Sequence, residues 1–173
     1  MNPAVNATVK NRAGHHTVVA IVEDKPGVLM RVSSLFRRRG FNIESLTVGH
    51  SEAEGLSRMT IVVDGTSAPI EQVEKQLYKL IDVVKVTDLS NEDMVARELA
   101  MIKVRCNNLN RHELLDIANV FRADVVDIAT NSIILQVVGD EDKIDGLAKM
   151  REPYGIRELS RTGPIHMVRG AKT

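Results

Sequence analysis

The sequence predicts an α+β protein of two tandem units, each with the element order βαββαβ. The first observation is that short β-rich apolar runs alternate with longer stretches whose apolar residues recur at helical spacing. The second is that segments rich in Gly, Asp, Asn and Pro separate these stretches. The third is that the same order occurs on both sides of the polar segment 90–93, without obvious sequence identity between the halves. Right-handed crossovers then place both helices of a unit on one face of a four-stranded antiparallel sheet, which is a ferredoxin-like plait.

The first strand and helix of the first unit are predicted on either side of a tight turn. Residues 17–22 form a short β-rich run that ends at the turn-like segment 24–27. The helix that follows ends at Gly40, a residue suited to the left-handed conformation that helix ends often need. Its apolar stripe consists of Val28, Leu29, Val32, Leu35 and Phe36.

Two alternating strands, a second helix and a last strand complete the first unit. Residues 42–49 alternate between two faces and predict a regular strand, and residues 58–64 predict another. The first of these strands would carry Ile43, Ser45 and Thr47 on one face and Glu44, Leu46 and Val48 on the other. The second helix would begin at a Thr66 or Ser67 cap and precede a strand at 83–89. The apolar stripe of this helix consists of Ile70, Val73, Leu77, Leu80 and Ile81.

The second unit repeats this order with shorter loops. A strand is predicted at 99–106, and Asn110 opens a helix in a variant of the capping box. A hairpin follows around residues 130–131, and a helix that starts at Asp140 precedes the last strand at 156–161. This last helix carries Ile144, Leu147 and Met150 on its apolar stripe.

The sequence therefore predicts two domains between two flexible tails. The first tail covers residues 1–14 and the second covers residues 164–173. The first domain lies at residues 15–90 and the second at residues 96–163.

Composition and charge exclude several classes of function. Lys plus Arg and Asp plus Glu number 23 each, so no net charge attracts nucleic acid or an anionic membrane. Aromatic residues make up 3% of the chain, with no Trp, which argues against surfaces that stack nucleic-acid bases. No apolar stretch is long enough to span a bilayer, and the N-terminus lacks the hydrophobic core of a signal peptide. We therefore expect a cytoplasmic protein that binds neither nucleic acid nor a membrane.

The sequence also lacks the motifs of common enzyme and metal sites. It contains no GxGxxG, Walker A, HExxH, GxSxG or CxxC pattern, and the single Cys106 excludes an intrachain disulfide. His15 and His16 precede the first strand, where solvated residues are expected more often than metal ligands. The basic run 37–39 is either a nucleic-acid contact or, as the charge balance favours, the end of a helix whose dipole the cations complement. The sequence thus offers no catalytic residue.

The segment 24–28 has the chemistry of a site for a small zwitterion. It joins a strand to a helix, so the unpaired N–H groups of the first helical turn can bind a carboxylate. Gly27 leaves the backbone open to a ligand, Asp24 supplies a carboxylate for an ammonium group, and Asn42 after the helix offers a side-chain amide. The alternative is that Asp24 is only an N-cap, Gly27 only a tight turn and Asn42 only a helix-exit residue.

Longer stretches of the chain resemble one known family. The segments 23–29 (EDKPGVL) and 35–48 (LFRRRGFNIESLTV) closely resemble the ACT domain of acetolactate synthase small subunits. The run 39–46 (RGFNIESL) is specific to this family rather than to ACT domains in general. Further segments with the same resemblance lie at residues 57–61, 71–83, 97–104 and 158–163.

This resemblance implies a regulatory site for a branched-chain amino acid, chiefly valine, where two ACT domains meet edge to edge as a homodimer. The family's effector contacts fall on Asp24, Gly27, Val28, Asn42 and Ile43. The family commonly has Asn where this chain has Asp24. A carboxylate at that position attracts the effector's ammonium more strongly but opposes its carboxylate, so the choice of effector stays open.

The resemblance also implies that the catalytic work belongs to a separate large subunit, which carries thiamine diphosphate, magnesium and FAD. This chain would be a non-catalytic subunit without a cofactor or metal of its own, which activates the catalytic subunit and confers feedback inhibition. Two alternatives remain. One is a free-standing amino-acid sensor that acts on another enzyme or on transcription. The other is a small acylphosphatase-type enzyme that uses an Arg and an Asn as phosphate clamps.

Overall fold

The computed structural model describes residues 14–65 and 69–170. The chain divides into two compact units, the first comprising Met1–Val95 with His166–Thr173 and the second Ala96–Ile165. No helix within the described ranges combines the length and the apolar character needed to cross a lipid bilayer.

The first unit is an antiparallel sheet with two helices on one face. Its elements are β1 (His15–Glu23), α1 (Val28–Arg39), β2 (Ile43–His50), β3 (Leu56–Asp64), α2 (Ile70–Leu77) and β4 (Val83–Asp88). The strands lie in the order β2-β3-β1-β4, which confirms the predicted ferredoxin-like plait. Apolar residues of both helices, such as Val32 and Leu77, join Val18 and Ala20 of β1 in one buried core. The edges of this sheet are β2 and β4.

A β-bulge at Glu44 changes which residues of β2 face the core. The pairing with β3 runs from Ile43 opposite Val63 to Ser45 opposite Val62, so Glu44 is the extra residue. Both Ile43 and Leu46 consequently pack against the core. The regular alternation predicted for this strand, with these two residues on opposite faces, is therefore wrong.

The second helix is shorter than its apolar pattern predicts. It ends at Leu77, and Leu80 and Ile81 lie in the turn that follows. The side chain of Ile81 is 94% exposed, so it contributes nothing to the core. The predicted Thr66 or Ser67 cap lies outside the described residues.

The second unit repeats the plait. Its elements are β5 (Met94–Arg105), α3 (Arg111–Val120), β6 (Asp124–Ile128), β7 (Ser132–Gly139), α4 (Glu141–Arg151), a 3-10 turn (Glu152–Tyr154) and β8 (Ile156–Arg161). The strand order is β6-β7-β5-β8. Both helices contribute to a single core, in which Leu114 of α3 and Leu147 of α4 contact Ile102 and Val104 of β5 and Leu135 of β7.

Helix α4 buries a different residue from the one that its apolar pattern predicts. Ile144, Leu147 and Arg151 are buried, whereas Met150 is 51% exposed. The spacing of three and then four residues is that of one helix face, so the position of Arg151 is geometrically regular. The apolar pattern predicts Met150 at this position of the stripe, and that prediction is wrong.

The end of the chain is a strand and not the predicted flexible tail. Residues Ile165–Val168 form β9, which pairs with β5. The N–H of Arg169 donates to the carbonyl of Asp93 over 2.8 Å. Val168 packs against a small apolar cluster of Val19, Leu89 and Met94 on the sheet face opposite the helices. The pattern of apolar residues does not indicate this strand, because the residues with which it pairs lie more than seventy positions earlier in the sequence. Residues 171–173 lie outside the described part.

We expect His166 in β9 to make the first unit sensitive to acid. Its side chain is 5% exposed, and its Nδ1 atom finds no hydrogen-bond partner among the described residues. Burial, with the nearby Arg58 cation as a smaller cause, lowers the pKa of His166 below its ordinary value. Because the unfolded chain then binds the proton more readily, stability holds above about pH 6.5 and falls as the pH drops below it. We expect His166→Phe to lose less stability than the wild type between pH 7.5 and pH 5, measured by urea unfolding.

The matched control for this prediction is His112→Phe, because His112 is exposed on α3 of the second unit. This variant keeps the acid sensitivity of the wild type. An identical loss of stability in the His166 and His112 variants would show that another group causes the acid sensitivity.

Candidate functional site

The start of helix α1 is open and has no side-chain cap. Gly27 is the N-cap residue, with φ 86° and ψ −7°, and no side chain accepts a hydrogen bond from the first turn. A Cβ atom built on Gly27 would meet no heavy atom within 4 Å. The alternative in which Asp24 caps the helix is therefore excluded. An exposed helix N-terminus with the positive end of its dipole is favourable for an anion, and the region defined by Gly27 and Val28 is here called the α1 cradle.

The carboxylate of Asp24 lies beside this cradle and is accessible to solvent. The backbone N–H of Asp24 donates to the carbonyl of Gly55 over 2.8 Å, which holds the loop against the β2–β3 turn. Its Oδ2 atom lies 3.1 Å from Nδ1 of His50, the last residue of β2. His50 was missed from the sequence, since only the pairing of β2 with β3 brings it to this end of the sheet.

Val28 contributes backbone and not side chain to the cradle. Its side chain is 3% exposed and packs in the core of the first unit. The N–H of Val28 donates a long hydrogen bond of 3.4 Å to the carbonyl of Lys25, so Val28 offers a ligand only this weakly engaged backbone group. Leu29 is the apolar residue next to the cradle that remains accessible, with 45% of its surface exposed.

Asn42 and Ile43 lie at the opposite end of the sheet from the cradle. The carbonyl of Asn42 accepts a hydrogen bond from the N–H of Asp64, and Asp64 pairs with His15 at the beginning of β1. The cradle instead follows Glu23, at the other end of β1. Helix α1 connects the two ends and, with 12 residues, spans about 18 Å. One chain therefore brings Asp24, Gly27 and Val28 together but keeps them apart from Asn42 and Ile43.

A buried carboxylate holds the first turn of α1 in place. Asp82, in the turn between α2 and β4, accepts a 3.0 Å hydrogen bond at Oδ1 from Nη2 of Arg31, and its Oδ2 lies 2.7 Å from Nε of Arg31 in an ion pair. Its carbonyl also accepts the N–H of Glu23 over 2.8 Å. The Asp82 side chain is 7% exposed, and such a fork-to-carboxylate pair is geometrically specific. The partners are 51 residues apart, so no local pattern revealed this contact.

The two edges of the first sheet differ in their availability. The hydroxyl of Tyr78 accepts the N–H of Val86 over 3.1 Å and donates to the carbonyl of Val86 over 3.2 Å. The N–H and C=O of one strand residue point to the same side, so these two groups of Val86 face away from β1. Tyr78 therefore covers the outer edge of β4 at Val86. Strand β2 has only β3 as a neighbour in the described part of the chain, so its outer edge is open.

The other candidate groups have structural partners. His15 lies 2.7 Å from Glu44 at the bulge, and Nδ1 of His16 lies 3.0 Å from the hydroxyl of Ser90. The basic run 37–39 lies exposed in the last turn of α1, as expected for cations at a helix C-terminus. Within residues 14–65 and 69–170, no group of three or more His, Cys, Asp or Glu side chains is placed to hold a metal ion.

Comparison with known proteins gives the same family in both halves of the chain. The family model described as the AHAS small subunit-like ACT domain matches residues 19–85. The one described as the small subunit of acetolactate synthase matches residues 97–170.

Relatives match over almost the whole chain. The probable acetolactate synthase small subunit of Archaeoglobus fulgidus is 53% identical over 157 residues, which cover 91% of this chain and 98% of that protein. The acetolactate synthase small subunit of Mycolicibacterium smegmatis is 48% identical and covers 95% of this chain and 96% of its own length. The crystal structure of the acetolactate synthase small subunit from Thermotoga maritima superimposes with a TM-score of 0.84 at 40% identity, over 91% of this chain and 99% of that one.

Proposed function

The chain belongs to the acetolactate synthase small subunits, the regulatory subunits of that enzyme, and from this premise we propose that it is a valine-responsive switch. In this proposal it binds valine or a related branched-chain amino acid, activates a catalytic subunit and makes that subunit sensitive to feedback inhibition.

The observation that carries the proposal is the placement of the predicted site residues. Asp24 and Gly27 lie near the end of β2, whereas Asn42 and Ile43 lie at its start. A two-fold axis through the open edge of β2 would pair it antiparallel with β2 of a second copy. The start of the partner's strand then lies beside the end of this one, next to His50 and Asp24. The two half-sites that are about 18 Å apart in one chain are each completed by the partner chain, so the dimer contains two complete sites. The blocked β4 edge supports β2 as the edge that pairs.

In such a dimer each part of the effector has a suitable partner. The α1 cradle takes the carboxylate, because its N–H groups and helix dipole favour an anion. Asp24 takes the ammonium, and Asn42 of the partner subunit donates and accepts through its side-chain amide. Leu29 of this chain and Ile43 of the partner subunit supply the apolar side of the pocket.

The affinity that a feedback effector needs is modest. A dissociation constant of about 0.1–1 mM corresponds to roughly −4 to −5.5 kcal/mol, which a few charge-assisted hydrogen bonds can supply. Inhibition of the catalytic subunit requires a coupling free energy of only about 1–3 kcal/mol.

The chemistry of the reaction belongs to the catalytic subunit in this proposal. That subunit would carry thiamine diphosphate, magnesium and FAD, and this chain would act without a cofactor, in the cytoplasm. The residues assembled at the cradle suit recognition of a zwitterion, since they provide a cation acceptor and an anion cradle.

The proposal is tested by assaying the catalytic subunit with and without this chain while valine, leucine and isoleucine are titrated. We expect stimulation by this chain, reversed by valine at about 0.1–1 mM. No change in rate and no response to any of the three amino acids would favour a free-standing sensor. Calorimetry then measures whether the isolated chain binds valine. Binding without any effect on the catalytic subunit would favour the sensor, whereas no binding would contradict the effector site itself.

A further inference from the structure

The turn between α2 and β4 exposes an unusual amount of apolar surface. Tyr78, Ile81 and Val84 are 51%, 94% and 56% exposed, and we call these three residues the turn surface. Val84 is expelled by a β-bulge, because Val22 pairs with Val83 and Ile21 with Lys85. Single exposed apolar residues are ordinary, whereas a cluster within seven positions marks a contact site.

The turn surface is built on the residue that holds the α1 cradle. Asp82 lies between Ile81 and Val84, and its side chain binds Arg31 in the first turn of α1. Its carbonyl fixes the N–H of Glu23, immediately before the effector loop. Asp82 thus joins the turn surface to the first turn of α1 through its contact with Arg31, and to the end of β1 through its carbonyl. A displacement of the α1 cradle on effector binding would reach the turn surface through these two contacts.

Two features of the first unit indicate which partner covers this surface. In the proposed dimer a second copy lies at the β2 edge, and Tyr78 occupies the outward-facing backbone groups of Val86 at the β4 edge. The family to which the chain belongs provides one other partner, the catalytic subunit. Lys79 and Lys85 lie exposed on either side of the turn, so the complementary surface is apolar at its centre and acidic at its rim.

We propose that the turn surface docks in an apolar pocket of the catalytic subunit and so carries the state of the effector site to it. This inference rests on the proposed function, since it gives the contact surface for the same regulatory site. Ile81 is the anchor, because it exposes nearly all of its side chain beside a rigidly held backbone. Lys79 and Lys85 steer the encounter and set its salt dependence.

The test compares Ile81→Glu with Leu109→Glu. Leu109 is also 94% exposed but lies in the second unit, so both variants place a carboxylate on an exposed aliphatic position. Each variant is titrated into the catalytic subunit to find the concentration that gives half-maximal stimulation. We expect Ile81→Glu to raise this concentration by about 30-fold, as loss of an interface anchor does, and Leu109→Glu to leave it unchanged. Calorimetry on the isolated chains should show unaltered valine binding in both variants.

Three results would overturn the inference. The first is an unchanged titration for Ile81→Glu. The second is an equal shift for both variants, which would show a general effect of added charge. The third is a loss of self-association in Ile81→Glu, measured by sedimentation, which would assign the turn surface to a second copy. A wild-type chain that neither stimulates the catalytic subunit nor binds valine would instead contradict the proposed function itself.

Discussion

Replacement of Gly27 by aspartate is expected to weaken valine binding by at least about 100-fold and to leave the chain folded. A Cβ atom at this position meets nothing within 4 Å, so the new side chain causes no clash. The left-handed φ of 86° costs about 1 kcal/mol for a residue other than glycine. The main effect is electrostatic, because a carboxylate placed in the α1 cradle occupies the position of the effector's carboxylate and repels it. Calorimetric titration with valine measures the loss, and circular dichroism checks the fold.

The matched control is Gly27→Asn. Asparagine has nearly the same size as aspartate, tolerates the left-handed conformation and carries no charge. We expect it to retain a large part of the affinity. Equal affinities of the Asp and Asn variants for valine would contradict the anion cradle, because charge would then have no effect at this position.

The same variant reveals whether the site is shared between two chains. Asn42→Ala should also abolish binding, since it removes an amide that contacts the charged effector. If Gly27 of one chain and Asn42 of the partner subunit form one site, a mixed dimer of the two variants contains one intact site. An equimolar, re-equilibrated mixture then recovers about a quarter of the wild-type sites. A site contained in one chain would recover none.

Replacement of Arg151 by methionine is expected to stabilise the second unit by about 3 kcal/mol. Arg151 is completely buried on α4, and none of its three guanidinium nitrogens has a hydrogen-bond partner among the described residues. Burial lowers the pKa of Arg151 from its ordinary value to about 10, and each unit of pKa corresponds to about 1.4 kcal/mol. The unfolded chain holds the proton more tightly, so this cost is complete at pH 7 and diminishes only as the pH rises above about 10. Methionine keeps the unbranched shape and removes the charge.

Thermal unfolding provides the measurement, with an expected rise of about 12–24 °C in the melting temperature of the second unit. Arg157→Met is the control, because Arg157 is exposed on β8 and its replacement should change stability by less than about 0.5 kcal/mol. A lower melting temperature for Arg151→Met would show that the guanidinium has a favourable partner in solution, and that partner would then need to be found.

The order of the elements and the chemistry of the segment 24–28 follow from the sequence alone. Apolar residues that recur with the period of a strand or a helix are local signals, so they can be read from the sequence. The β-bulge at Glu44 and the early end of α2 changed only details of the predicted elements. The open N-terminus at Gly27 also follows from local sequence, since a strand, a turn and a helix succeed one another within a few residues. The resemblance to a family added Val28 and Ile43, which loop chemistry alone does not indicate.

Only the tertiary structure decided how distant residues are placed. The contact of Arg31 with Asp82, the cover that Tyr78 gives to β4 and the strand at Ile165–Val168 join parts of the chain through the sheet and its packing. Burial of Arg151 in place of Met150 depends on how α4 is rotated against its sheet. Most importantly, the sheet places Asp24 and Asn42 at opposite ends of β2. Strand direction is a property of the assembled sheet, so a linear pattern of residues cannot reveal that the residues predicted for one site lie at opposite ends of it.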